Sequence, residues 1–170
     1  MKNKIRSKQV IRTVLVILII INCAVIFKFS AEESGKSSDR SGKVVQKIVE
    51  VNPRTRNLEK KEKDRIQENL IVPIRKTAHF SVYMCLGALI FILANTYKIK
   101  DFRKILISLI SAFIYACSDE IHQLFVGGRS GEFRDVCIDT CGAMFGIILV
   151  LAICACIHLF KRKKEENRLA

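Results

Sequence analysis

The chain has 170 residues, 50% of them hydrophobic, and a formal net charge of +13. A soluble domain rarely joins positive mean hydropathy to so much charge, whereas apolar spans with basic flanks do so naturally. Nucleic-acid binding, the usual rival reading of a basic chain, is disfavoured because the charge clusters beside apolar runs instead of lining one face.

In chain order, residues 1–12 form a basic amino end. Residues 13–29, "TVLVILIIINCAVIFKF", are the first span. A cleavable signal peptide is the alternative. Phe29 occupies a position where cleavage before Glu32 wants a small residue, and "IINC" is a weak lipobox, so an uncleaved anchor is expected. Asn22 then faces other helices, where its amide finds a partner.

Residues 30–74 are one long connection. "SAEESGKSSDRSGK" reads as turn-like and mobile. "VVQKIVEV" places Val44, Val45, Ile48 and Val51 at helical spacing, as for a helix on the membrane surface. Asn52 and Pro53 end it. "RNLEKKEKDRIQENLIV" is a second helix, with Leu58, Ile66 and Leu70 on one stripe. Glu59–Lys63 and Lys60–Asp64 support it as i,i+4 pairs on a solvated face.

Pro73 precedes the second span, about Ile74 to Tyr97. The short link "KIKDFRK" makes spans two and three an antiparallel hairpin. The third span runs from about Ile105 to Phe125, "VGGRSGEF" is a Gly-rich loop, and the fourth span covers about Arg134 to Phe160. Residues 161–170 are a basic tail suited to anionic lipid headgroups. The expected fold is therefore all-α: an integral membrane bundle of four transmembrane helices with a helical extracytoplasmic connection. Lys and Arg are densest in the amino end, the Lys98–Lys104 link and the tail. Both termini are thus expected in the cytoplasm of a multi-pass cell-membrane protein. Cys23, Cys85, Cys117, Cys154 and Cys156 lie in apolar runs, and Cys137 and Cys141 share a helix side, so small apolar fillers fit better than disulfides.

The polar residues inside the spans carry the functional question. Asp119 lies roughly 21 Å beyond Ile105 at 1.5 Å per residue, still within a hydrocarbon core about 30 Å thick. At about 100° per residue, Tyr115, Asp119 and His122 project in nearly one direction, with Glu120 and Gln123 widening that sector. On the fourth span Asp135, Asp139, Gly142 and Gly146 share a face, and "GAMFG" is a G-x-x-x-G surface that admits a close helix. On the second, Lys76, His79, Tyr83 and Gly87 share a face. Three spans thus bring charge to one membrane level: Asp119, Glu120, Asp135 and Asp139 against Arg75, Lys76, Arg129 and Arg134. Ionised groups there must pair, bind an ion or line water. A small outward-opening polar chamber, roofed by "VGGRSGEF", is expected.

"RKTAHFSVYMCLG" followed by "AFIYACSDEIHQLFVGGRSGEFRDVCIDTCGAMFG" resembles the VanZ-like family. The resemblance runs from about Arg75 to Leu149, with residues 75–160 as the VanZ-like core. It rests on a basic-x-x-His-Phe, a D-E-x-H-Q and a G-R-x-x-x-x-x-D occurring in order on successive spans. It implies a helical membrane domain in a bacterial envelope, and a polar signature of Lys76, His79, Asp119, Glu120, His122, Gln123, Arg129 and Asp135. Gly127 stands where members often have proline, and Asp139 where many have asparagine. The family is linked through one member to resistance to the glycopeptide teicoplanin, and its label names a phenotype, not a reaction.

Three main readings of the cluster remain open, with transport a fourth that four spans and the lack of an inverted repeat in the sequence disfavour. In the first, the cluster holds three helices in register as an ion-pair network. Alternatively, Lys76, His79, Asp119, Glu120, His122, Gln123, Arg129, Asp135 and Asp139 bind a lipid-linked envelope precursor or the glycopeptide, with Lys76 and Arg129 taking an anionic group. In the third, Asp119, Glu120, His79 and His122 supply acid–base or carboxylate/histidine metal chemistry to a membrane-embedded hydrolase or transferase. No H-E-x-x-H, nucleophile elbow or P-loop is present. The sequence assigns no cofactor and no metal ligands. Membrane lipids are the expected surroundings, and a homo-oligomer is left open.

Overall fold

The computed structural model describes residues 2–169, with side chains described for 5–167. Among these the chain is all-helical: α1 (Lys2–Ser30), α2 (Ser34–Val51), α3 (Lys60–Asn95), α4 (Asp101–Gln123) and α5 (Phe133–Leu169). α1, α3, α4 and α5 are long and apolar enough to cross a membrane. They run alternately up and down, as short connections after α3 and α4 require.

The helices are longer than their apolar runs. α1 takes in the basic amino end, and α5 carries the basic tail through to Leu169. Lys and Arg are good helix formers, so a helix started in lipid continues past the interface. The segment from Ser34 to Lys43, expected to be turn-like, is the first half of α2. Its Ser and Gly residues are poor local evidence for a helix, and packing decides instead: Val45 and Val49 are buried, and Gly42 abuts Ile71 of α3. Val44, Ile48 and Val51 stay exposed on the other side.

Pro73 does not start a new helix; it lies inside α3, which is continuous from Lys60. Proline lacks the N–H that would bond the Asn69 carbonyl. One turn later the Thr77 hydroxyl donates to the Pro73 carbonyl at 2.8 Å. α3 is thus about 54 Å long at 1.5 Å per residue, much more than the hydrocarbon core. Its amino-terminal third projects beyond the bundle with α2 beside it.

α3 and α5 make the closest contact. The Gly142 Cα faces the Phe80 carbonyl, Gly146 the Met84 carbonyl and Gly87 the Ala143 carbonyl. A Cβ at any of the three would overlap backbone. Ile26, Tyr83, Leu86, Ala116 and Val136 close the core with one or two residues from each spanning helix. Ile17, Ile20, Phe113, Ile114, Phe145 and Ile148 remain on the outer surface, as for helices facing lipid. All seven cysteines are free.

At the end opposite the polar cluster, Arg12 ties α1 to the α3–α4 link. Its Nε donates to Thr96 Oγ1 at 2.9 Å and its Nη2 to the Thr96 carbonyl at 2.7 Å. Its guanidinium lies 3.8 Å from the Tyr97 ring centre. The basic amino end and the basic link therefore occupy the same end of the bundle. Asn22 is half-buried, but its Oδ1 meets no donor among the described residues, so the expected partner is not found.

Candidate functional site

The end of one helix, the start of another, the middle of a third and one loop build the site. α3 contributes Lys76 and His79 three residues apart, on neighbouring turns of one face. α4 brings Asp119, Glu120 and Gln123 in its last turn and a half, all buried. α5 starts at Phe133, so Asp135 sits in its first turn and Asp139 one turn deeper. Carboxylates in the first turn of a helix are favoured by its dipole. The loop between α4 and α5 folds back over them. Gly128 adopts φ +73° there, and Gly131 packs so tightly on Glu120 and Leu124 that a side chain would collide.

The charges segregate into three groups. In the first, the Lys76 ammonium pairs with Asp135 and lies 3.7 Å from Glu132. In the second, a hydrogen-bonded chain runs from α4 into the loop. Gln123 Nε2 donates to Glu120 Oε1 at 3.1 Å and to Asp119 Oδ2 at 3.3 Å. The Glu132 backbone N–H donates to Glu120 Oε2 at 2.9 Å. Arg129 Nη1 donates to Gln123 Oε1 at 3.1 Å, and its Nη2 to the Phe29 carbonyl at 3.0 Å. Arg129 thereby pins the loop to the end of α1. Burial pulls its guanidinium below the ordinary value; Arg75 acts the same way, and Asp119, Glu32 and Glu120 act against it. It stays a cation.

The third group is deepest. His79, Asp119 and Asp139, from three helices, each offer one ligand-type atom, and these atoms all lie within 4.8 Å of one another. Asp119 is 4% and Asp139 1% exposed. His79 Nδ1 is 4.0 Å from Asp139 Oδ2, the outer limit of an ion pair.

His122, grouped by helical spacing with Asp119, is turned away from this centre. Its ring stacks on Phe27 of α1 with centroids 4.6 Å apart. Tyr115, from the same face, donates its hydroxyl to the Cys23 carbonyl at 2.8 Å. The face of α4 predicted as one polar sector is thus shared between α1 and the chamber. Tyr83 is fully buried with its hydroxyl unpartnered among the described residues.

A cavity of about 600 Å³ opens beside these groups. Lys76, His79, Glu120, Gln123, Arg129, Asp135 and Asp139 line it. Asp119 and His122 do not. Arg75, Arg134, Glu132 and Ser34 line it as well. Ser34 belongs to the start of α2, brought over the loop by a Ser34 N–H to Gly127 carbonyl bond at 3.4 Å. Glu132 is the lining residue that periodicity had no means to find, because it acts partly through its backbone in an irregular loop. Among the described residues no carboxylate lies within 4.0 Å of the guanidinium nitrogens of Arg75, Arg129 or Arg134. Arg129 Nε is buried without an acceptor among the described residues.

The family model described as VanZ/LLP1 matches residues 15–156, most of the chain. No curated protein and no solved structure matches it. The chain belongs to the VanZ/LLP1 family.

Proposed function

We propose that this VanZ/LLP1-family chain is a membrane protein of the bacterial envelope whose chamber holds the anionic headgroup of a lipid-linked envelope component. By holding it, the chain changes susceptibility to glycopeptides such as teicoplanin. The observation that carries the reading is the trio of arginines, Arg75, Arg129 and Arg134, lining one cavity without a carboxylate partner among the described residues. Each carboxylate nearest the loop already has a donor: Asp135 has Lys76, and Glu120 has Gln123 and the Glu132 N–H. The guanidinium charge is left for a ligand. A guanidinium presents a planar fork of donors matched to phosphate oxygens, and water exclusion strengthens such bonds. A lipid headgroup suits a cavity at the end of spanning helices, because its acyl chains can stay against the apolar outer faces.

The density of Lys and Arg at the Arg12 end supports both termini lying in the cytoplasm, with the chamber facing outward.

Arg129→Ala tests the reading. Its membrane level stays within about twofold of wild type, because among the described residues the Arg129 side chain hydrogen-bonds Gln123 and the Phe29 carbonyl alone. Teicoplanin susceptibility returns to that of cells lacking the protein. Native mass spectrometry of the purified chain loses the co-purifying phospholipid-class adduct. Unchanged susceptibility and unchanged lipid adduct at equal membrane level would overturn it.

A further inference from the structure

We propose that His79, Asp119 and Asp139 form a binding site for a divalent metal ion of the zinc class at the inner end of the chamber. The proposal does not rest on the headgroup reading, which turns on the three arginines at the cavity wall. Three helices converge here, and each delivers one donor atom, all within 4.8 Å of one another. Zinc bonds of about 2.0–2.2 Å place tetrahedral donors roughly 3.4 Å apart, so side-chain rotations of an ångström or less close the set.

Asp139 supplies the second, independent observation. Its side chain is 1% exposed, and neither carboxylate oxygen meets a hydrogen-bond donor among the described residues. A buried carboxylate left in that condition is costly. Lys76 does not relieve it, because that ammonium is held by Asp135. A shared proton between Asp139 and Asp119 or His79, reached by a similar rotation, is the competing way to satisfy it, and measured metal uptake separates the two. A dication between His79 and the two carboxylates neutralises both charges and satisfies Asp139 in one step.

The surroundings fit. Asp119 Oδ2 accepts from Gln123, and Arg129 holds Gln123 in turn, so this ligand is oriented from behind as metal ligands usually are. One imidazole with two carboxylates suits zinc over magnesium or calcium, which favour all-oxygen sets. His79 and Asp139 also line the cavity, so a coordination position beyond the three protein ligands faces the chamber. An anionic oxygen or a water entering there would meet the ion.

The full chain, purified in lipid nanodiscs and stripped with chelator, is dialysed against ZnCl2 or MgCl2 and its metal measured by mass spectrometry. Wild type takes up about one more zinc ion per chain than Asp139→Asn or His79→Gln, whose affinity at this site falls about 10- to 100-fold or more. Magnesium does not substitute. Glu50→Gln, on the exposed side of α2, behaves as wild type. Zinc raises the unfolding temperature of wild type and not of Asp139→Asn. Equal zinc uptake by wild type and both variants, or none by wild type, overturns the site. Cobalt decides the matter in wild type alone if the variants fail to fold. Visible ligand-field bands without the near-ultraviolet thiolate band support nitrogen and oxygen ligands. A thiolate band alone assigns the metal to cysteines and overturns the proposal. Its failure leaves the headgroup reading standing.

Discussion

Lys76 is the cation that the chamber keeps for itself. Its side chain is 21% and that of Asp135 26% exposed, so the pair is neither fully buried nor freely solvated. Removing one partner strands the other charge at a protein wall, and removing both does not. Lys76→Gln and Asp135→Asn are each expected to destabilise the folded chain by about 1–3 kcal/mol, with a coupling of about 1–2 kcal/mol recovered in the double variant. Reversible unfolding in mixed micelles measures all three. Strict additivity would mean that water already screens the pair. At this scale the sequence is legible within each helix and brings three spans to one polar level, but it does not fix which way each side chain turns between helices. Spacing alone places Lys76 near His79, and Asp135 near Asp139. Nothing in it says that Asp119 rotates toward those two while His122, three residues later, stacks on Phe27. The divergence of neighbours on one face is decided by where α1 packs, and α1 has no polar pattern to announce that.

At the scale of elements, glycine separates two jobs. Gly146 sits where a Cβ would overlap the Met84 carbonyl, and a backbone atom cannot swing aside. Gly146→Ala therefore forces α3 and α5 apart, and a loss of about 2–3 kcal/mol is expected. Gly42 lies in the middle of α2, and its nearest neighbour, Ile71 Cδ1, is 3.9 Å from a built Cβ, an ordinary contact. Gly42→Ala is expected to gain about 0.5–1 kcal/mol from lower chain entropy in the unfolded state. The same replacement thus has opposite signs on the two helices, and chemical denaturation of each variant checks it. The "GAMFG" surface is readable because close helix contact needs small residues at fixed spacing. The continuity of α3 through Pro73 and the helix over Ser34–Lys43 are not, because proline and serine are local evidence against helix. In both places, packing of α2 on the projecting end of α3 overrides that evidence.

For the whole molecule, charge decides which way the bundle points. Arg12 bonded to Thr96 puts the amino end and the α3–α4 link at one end, and alternation of the helices puts the carboxyl-terminal half of α5 there too. All three stretches are rich in Lys and Arg. The opposite end carries α2 and the projecting part of α3, where basic residues are offset by Glu32, Glu33, Asp39, Glu50, Glu59, Glu62, Asp64 and Glu68. Positive charge close to span ends resists translocation, and it is denser at the compact basic end than along α2 and the start of α3, so that end should remain in the cytoplasm. Alkaline phosphatase inserted after Asn57 is therefore expected to be active. The same enzyme inserted after Lys98 is expected to be inactive, with a fluorescent protein giving the mirror result. The reverse pattern would turn the chamber toward the cytoplasm. Arg75, Arg129 and Arg134 would then sit out of reach of any ligand presented on the outer leaflet, and the headgroup would have to come from the inner one.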